Sequence, residues 1–196
     1  MSEEQVNMEP TDRTGWEPGP WDNEEDRYEW RNGALVCLIV RNYSGALCGY
    51  VGVPPGHPWH GKSYSDLQHL ECDEHDDECP YGCDHPYTGP KVHGGLTYSA
   101  PCQAGGSICH VPREGEPADV WWLGFDCAHS GDLVPGMIAI RKEVQAKIPG
   151  TRLFGAKQDQ PGRLDAYGLL GQDTYRDRAY VQEQINQLAE QAKAAG

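Results

Sequence analysis

The run ALVCLIVRNYSGALCGYVGV at residues 34–53 decides the fold. Its two halves, 34–41 and 46–53, are nearly continuous in apolar and β-branched side chains, and Asn42, Tyr43, Ser44 and Gly45 between them have turn composition. Two short apolar runs joined in this way predict a β-hairpin. Pro54, Pro55 and Pro58 end the second strand, because proline removes ladder donors.

Outward from the hairpin, residues 92–99 (VHGGLTYS), 107–111 (SICHV) and 120–125 (VWWLGF) read as further strands. Ser63 caps a short helix through about Leu70. In 136–148, Ile140, Val144 and Ile148 recur at helical spacing, and Pro149-Gly150 closes that helix. The last segment is the clearest helix. Thr174 is its expected cap, with Asp177 three residues on, and Val181, Ile185, Leu188 and Ala192 form one apolar stripe. The predicted fold is α+β: an antiparallel or mixed sheet of about five strands with two main helices, one of them C-terminal and amphipathic.

The formal charge of −14 is local. Residues 1–31 hold ten acids against Arg13, Arg27 and Arg31, and residues 71–85 hold seven acids and no base. Each segment therefore carries −7, and the rest of the chain is neutral on balance. With Pro10, Pro18 and Pro20 and no periodicity, residues 1–31 read as a flexible or loosely docked arm whose Trp16, Trp21 and Trp30 rest on the domain or on a partner subunit. Residues 32–196 then form a single domain with an acidic Cys/His-rich insertion at about 71–86. Such acidity argues against broad nucleic-acid binding, which depends on many Lys and Arg contacts to phosphate, while leaving room for a small nucleotide-like ligand. No apolar run approaches the ~20 residues of a membrane span, and the N-terminus MSEEQVNMEP carries no secretory pattern. The expected setting is cytoplasmic, and the eight cysteines read as thiols or metal ligands before disulfides.

Chemistry is concentrated where the 120–125 strand ends, in Asp126, Cys127, His129, Ser130, Gly131 and Asp132. Residues at the end of a rigid strand are held better than those on a free loop. His57 and His60 in GHPWHG, His93 in HGGLTYS and His110 in ICHVP bring further imidazoles from loops or strand ends. Mixed His and Asp ligation suits a divalent metal, zinc first, and an open coordination position would turn bound water into a nucleophile. The expected ligand set is His57, His93, Asp126, His129 and Asp132. Asp126, His129 and Asp132 are the expected catalytic groups, and Thr97, Ser130 and Arg176 the substrate-binding ones. The plainer reading is that these histidines cap loops or bond backbone carbonyls.

Other motifs carry less. His93-Gly94-Gly95 is like an esterase oxyanion turn, but no G-x-S-x-G accompanies it. Cys127 beside His129 allows a thiol nucleophile, against its commoner role as a small buried hydrophobe. Cys72, Cys79, Cys83 and His85 could form a structural metal site, joined by Cys102 and Cys109, although paired C-x-x-C hooks are missing. Arg176 and Arg178 at the start of the last helix could hold an anion with its free amides. No phosphate-loop pattern is present.

Taken in order, GYVGVPPGHPWHG, VHGGLTYS, WWLGFDCAHSGDLVPG and YRDRAYVQEQINQLAEQ resemble a family of uncharacterised proteins encoded by bacteriophages and actinobacteria. The resemblance spans most of residues 46–192, with 71–85 looking like an insertion. It implies a phage-associated setting in a host cytosol and transfers no reaction. Two functions are expected in consequence. The first is a small metal-dependent hydrolase of a phosphoester or nucleotide-like substrate, possible as a phage accessory or counter-defence protein. The second is a non-enzymatic inhibitor or ligand sponge that binds through its acidic surfaces.

Overall fold

In a computed structural model the described residues are 9–68, 89–103, 105–147 and 173–196. Five antiparallel strands form one sheet in the order β1-β2-β3-β5-β4. They are β1 (Arg27–Asn32), β2 (Leu35–Arg41), β3 (Leu47–Val53), β4 (Tyr98–Pro101) and β5 (Trp121–Asp126). The helices are α1 (Tyr64–Gln68), α2 (Pro135–Lys147) and α3 (Arg178–Ala195). The expected α+β class and the C-terminal helix are both present.

The β2–β3 hairpin pairs Arg41 with Leu47 and Val36 with Gly52. Its turn is tied by the Asn42 side chain, whose Oδ1 accepts from the Ser44 amide, the Ser44 hydroxyl and the Ala46 amide. Gly45 supplies the positive φ of +99° that the turn requires. Both strands are buried along their whole length, because the sheet is covered on its two faces. On one face Leu35, Cys37, Ile39, Leu47, Val51, Leu123 and Phe125 meet Val181, Ile185, Leu188 and Ala192 of α3, the stripe read from the sequence. On the other, Val36, Leu38, Val40, Tyr50 and Trp122 pack with Tyr98, Cys102 and Ile108.

α3 approaches the sheet closely because β3 has no side chain at Gly49. A Cβ there would stand 2.6 Å from the Phe125 ring and 2.8 Å from Ile185 Cγ1. Gly49→Ala is expected to destabilise the protein by about 1–3 kcal/mol through overpacking. A lowered urea midpoint would register this; an unchanged midpoint would show that the helix can yield.

Several local expectations are corrected. Residues 27–31, grouped with the arm by composition, form most of edge strand β1. Ahead of β1 the indoles rest on the domain, as one alternative had it: Trp21 is 4% exposed and packed edge-on against Tyr175, and Trp16 lies over Gly45. Residues 107–111 are not a strand. They belong to a connection in which Cys102 and Cys109 are joined as a disulfide, which overturns their reading as thiols or ligands of a four-cysteine metal site. Only the end of 92–99 is extended, since Gly94 and Gly95 both adopt positive φ. Among the described residues of α2, Pro135, Gly136 and Ile138 are buried and Val144 is partly so, whereas Ile140 is 50% exposed; Ile148, Pro149 and Gly150 lie outside the described residues. α3 is capped by Asp177, which accepts from the Tyr180 amide, and not by Thr174, which makes a parallel bridge to Asp132. Ser63 does cap α1, in a reciprocal pair with Asp66. No helix among the described residues is long and apolar enough to cross a membrane.

Candidate functional site

Where β5 ends, the chain folds back through a turn built from its own carboxylates. Asp126 Oδ1 accepts from the Ala128 amide at 3.0 Å, and its Oδ2 accepts from the Thr97 hydroxyl at 3.0 Å. The Asp132 amide donates to the His129 carbonyl, and the His129 amide returns a bond to Asp132 Oδ2, both at 3.0 Å. Gly131, at φ +93°, permits the reversal. The turn drives Asp132 inward until its side chain is 1% exposed.

A buried carboxylate needs donors, and two other segments supply them. His93, in the turn closed by the Gly95 amide and the Val92 carbonyl, sets its Nε2 2.7 Å from Asp132 Oδ2. The Arg176 Nε donates to Asp132 Oδ1 at 2.8 Å. Because the carboxylate can only accept, His93 carries a proton on Nε2, and in the neutral ring its Nδ1 is then the acceptor. The Tyr180 hydroxyl lies 2.9 Å from that Nδ1. Tyr180 stands in the first turn of α3, where the Asp177 cap holds its backbone, and the Arg176 guanidinium covers its ring at 4.7 Å. The result is a continuous chain, Asp132–His93–Tyr180, flanked by Arg176.

The electrostatics agree with this geometry. Burial acts to raise the Asp132 carboxyl, but hydrogen bonds from Arg176, His93 and the His129 amide outweigh it and hold the group below the ordinary carboxylate value. The same bond to Asp132 pushes Arg176 further up, so the pair stays charged. Cys127 points into the apolar core at 2% exposure, and burial, reinforced by Asp132, raises its thiol. A thiol in that environment is not a thiolate at neutral pH, so Cys127 takes the commoner role expected of it, a small buried hydrophobe, and not that of a nucleophile.

His129 completes the cluster from the other side. Its ring centre is 5.5 Å from that of His93, and it lies directly over Gly94, where any Cβ would collide with it. Its Nε2 is buried with no hydrogen-bond partner, 3.9 Å from Asp126 Oδ1. That separation is too long for a hydrogen bond.

Of the residues expected from sequence, His93, Asp126, His129, Asp132, Thr97 and Arg176 come together. Ser130 is exposed in the same turn. His57 does not join them, which corrects its place in the ligand set. Its Nδ1 accepts from the Trp59 amide, and its Nε2 bonds the Ala192 carbonyl near the end of α3. Ala192 is twelve residues beyond Tyr180, about 18 Å along the helix, so one ion cannot be shared with His93. His60 and His110 also bond backbone carbonyls, of Asp119 and Pro117. Cys72, Cys79, Cys83 and His85 lie outside the described residues. Among those described, no group of three or more His, Cys, Asp or Glu is arranged to hold a metal ion.

The anion site expected at the α3 N-terminus is filled from within. Glu24 accepts from the Arg178 amide, and Arg178 itself stacks on Tyr28 at 4.0 Å. Tyr180 escaped the sequence reading. It lies one position before the apolar stripe and four after Arg176, a spacing that would share one face of a helix begun at Thr174, although Arg176 in fact precedes α3. That neighbourhood of a cation and an aromatic was the available signal.

Comparison of the chain with family models, curated proteins and solved structures found no match.

Proposed function

We propose that the protein is a hydrolase in which the Tyr180 hydroxyl is the nucleophile, His93 its general base and Asp132 the group that orients His93. The substrate class is a phosphoester or nucleotide-like molecule. The observation that carries this reading is the unbroken hydrogen-bond chain, 2.7 Å from Asp132 to His93 and 2.9 Å from His93 to Tyr180. A nucleophile within reach of a base that is itself held by a third group is the general logic of covalent catalysis, tyrosine included. His93 Nδ1 takes the phenolic proton as the oxygen attacks, and Asp132 stabilises the imidazolium that results. Arg176 supports the charge that develops on the transferred group.

Tyr180→Phe keeps the ring beneath Arg176 and removes only the hydroxyl. Its turnover of chromogenic phosphoesters, with 2′,3′-cyclic nucleotides as a second series, is expected to fall about 10²–10⁴-fold, and His93→Gln to fall similarly. Turnover in Tyr180→Phe within twofold of the parent would overturn the reading.

A second reading is favoured by the unpartnered Nε2 of His129. A divalent metal, zinc first, could bind there and to Asp126, with solvent or substrate as further ligands. Elemental analysis of tag-free protein checks it: metal lost in both Asp126→Ala and His129→Ala supports this site, and metal unchanged in both rejects it.

A further inference from the structure

We infer that the group taken up by Tyr180 is the phosphorus of a small, singly charged phosphodiester, and that Tyr180 carries it as a covalent phosphotyrosyl diester. The inference rests on the nucleophile assignment above and adds the substrate's chemistry.

The first support is Arg176. Its Nε is committed to Asp132, and stacking fixes its plane over the Tyr180 ring. Among the described residues its two terminal nitrogens have no hydrogen-bond partner, although this chain has acids in large excess. They therefore offer a two-pronged donor edge on a guanidinium held 4.7 Å from the centre of the Tyr180 ring, a donor geometry that suits two oxygens of a phosphoryl group. An uncharged carboxylic ester would leave that edge without a purpose.

The second support is the local charge count. Asp132 already balances Arg176, and Asp126 adds another carboxylate at the rim, 3.9 Å from His129. A dianionic phosphomonoester would meet this pair of carboxylates at greater cost than a monoanionic diester. A long polyanion would also be repelled by a chain carrying −14. A compact diester, such as a cyclic or dinucleoside phosphate, meets all three constraints.

The steps balance. As the Tyr180 oxygen bonds to phosphorus, its proton passes to His93 Nδ1. The bond from phosphorus to the leaving oxygen breaks with its electron pair on that oxygen, which takes a proton from solvent. Water then attacks phosphorus, the bond to Tyr180 breaks, and the phenolic oxygen recovers its proton from His93. The water's own proton goes to solvent. Overall, diester and water give monoester and alcohol.

The test uses the full-length protein with bis(p-nitrophenyl) phosphate, p-nitrophenyl phosphate and p-nitrophenyl acetate. The expected result with the diester is a burst of about one equivalent of nitrophenolate. Acid quenching during the burst should leave one nitrophenylphosphoryl group on the peptide containing Tyr180, and none on Tyr180→Phe. The diester should exceed the monoester by at least ~10-fold in kcat/KM, and Arg176→Lys should shrink that preference. Tyr180-dependent turnover that favours the monoester or the acetate would overturn the diester inference while leaving Tyr180 as nucleophile. Diester turnover unaffected by Tyr180→Phe would overturn both. The absence of any burst or adduct in the parent protein would overturn the covalent diester.

Discussion

Arg41→Leu is expected to destabilise the protein by about 3–5 kcal/mol, a large part of the ~5–15 kcal/mol that holds a domain of this size. The Arg41 side chain is fully buried at the end of β2 and makes four hydrogen bonds. Its Nε bonds Asp26 at 2.8 Å, one terminal nitrogen bonds the Gly45 carbonyl and the Tyr175 hydroxyl, and the other bonds Glu24, the last three at 2.9 Å. Leucine fills part of the space but takes one donor each from Asp26, Glu24 and the Gly45 carbonyl and removes the buried positive charge between the two carboxylates. Urea unfolding followed by tryptophan fluorescence should show the loss, and a change under 1 kcal/mol would mean that the arm carries no weight in the fold. Trp21, packed on Tyr175, should report the undocking directly.

The same ion pairs set a dependence on pH. Burial raises the Asp26 carboxyl, yet Arg13, the Thr11 amide and Arg41 together hold it below its ordinary 3.8. Glu29, between Arg27 and Arg31, and Asp132 are likewise held low against burial. For groups depressed in the folded state, the stabilisation is complete above the unfolded values near 4 and disappears as pH falls through the folded ones. Tm should therefore drop steeply below about pH 4, after a shallower decline that begins below about pH 6.5, because burial holds the His110 imidazole below its ordinary value and acid favours its release. Arg41→Leu should flatten part of that drop, because Asp26 loses one of the partners that lower it. A drop of identical depth in both proteins would remove Asp26 from the account.

Asp132→Asn is expected to lower turnover on the order of 10⁴-fold, the scale seen when the orienting carboxylate of a hydrolytic triad is made an amide. All of the positions around Asp132 are donors: Arg176 on Oδ1, and His93 with the His129 amide on Oδ2. An asparagine has one acceptor oxygen, so its NH2 must face a donor whichever way it is turned. If it faces His93, the ring changes tautomer, and Nδ1 then donates to Tyr180 and can no longer take its proton. If it faces Arg176, the guanidinium is pushed from the Tyr180 ring. The unsatisfied donor should also cost about 1–3 kcal/mol of stability, so activity is compared at a temperature where both proteins are folded. Unimpaired turnover would remove Asp132 from the mechanism.

The hairpin was legible because its apolar runs and its Asn-Tyr-Ser-Gly turn act locally, and the α3 stripe because helical periodicity survives into packing. The cluster at the end of β5 was legible as a set of residue types. Its wiring was not. Whether His93 meets a metal or Asp132 depends on contacts across 39 residues, and Tyr180 joins from 87 residues away. His57 shared its composition with the cluster and was carried by its loop to the far end of α3. Residue 107–111 composition favoured a strand, but a cross-link seven residues long with Gly105 and Gly106 inside it takes the chain another way. The arm read as flexible or loosely docked, with its indoles on the domain, but its many acids hid the tie itself, because Asp26 and Glu24 are the partners of a buried arginine.

α3 both covers one face of the sheet and delivers the Tyr180 hydroxyl, and it follows every strand in chain order. During synthesis the hairpins can pair long before that helix leaves the ribosome, with Leu35, Ile39 and Phe125 still facing water. Until it docks there is no hydroxyl for His93 to act on, and Asp132 lacks Arg176. On the proposed mechanism, a nascent or partly opened molecule would therefore hold an inert imidazole, and the appearance of turnover would report the docking of α3.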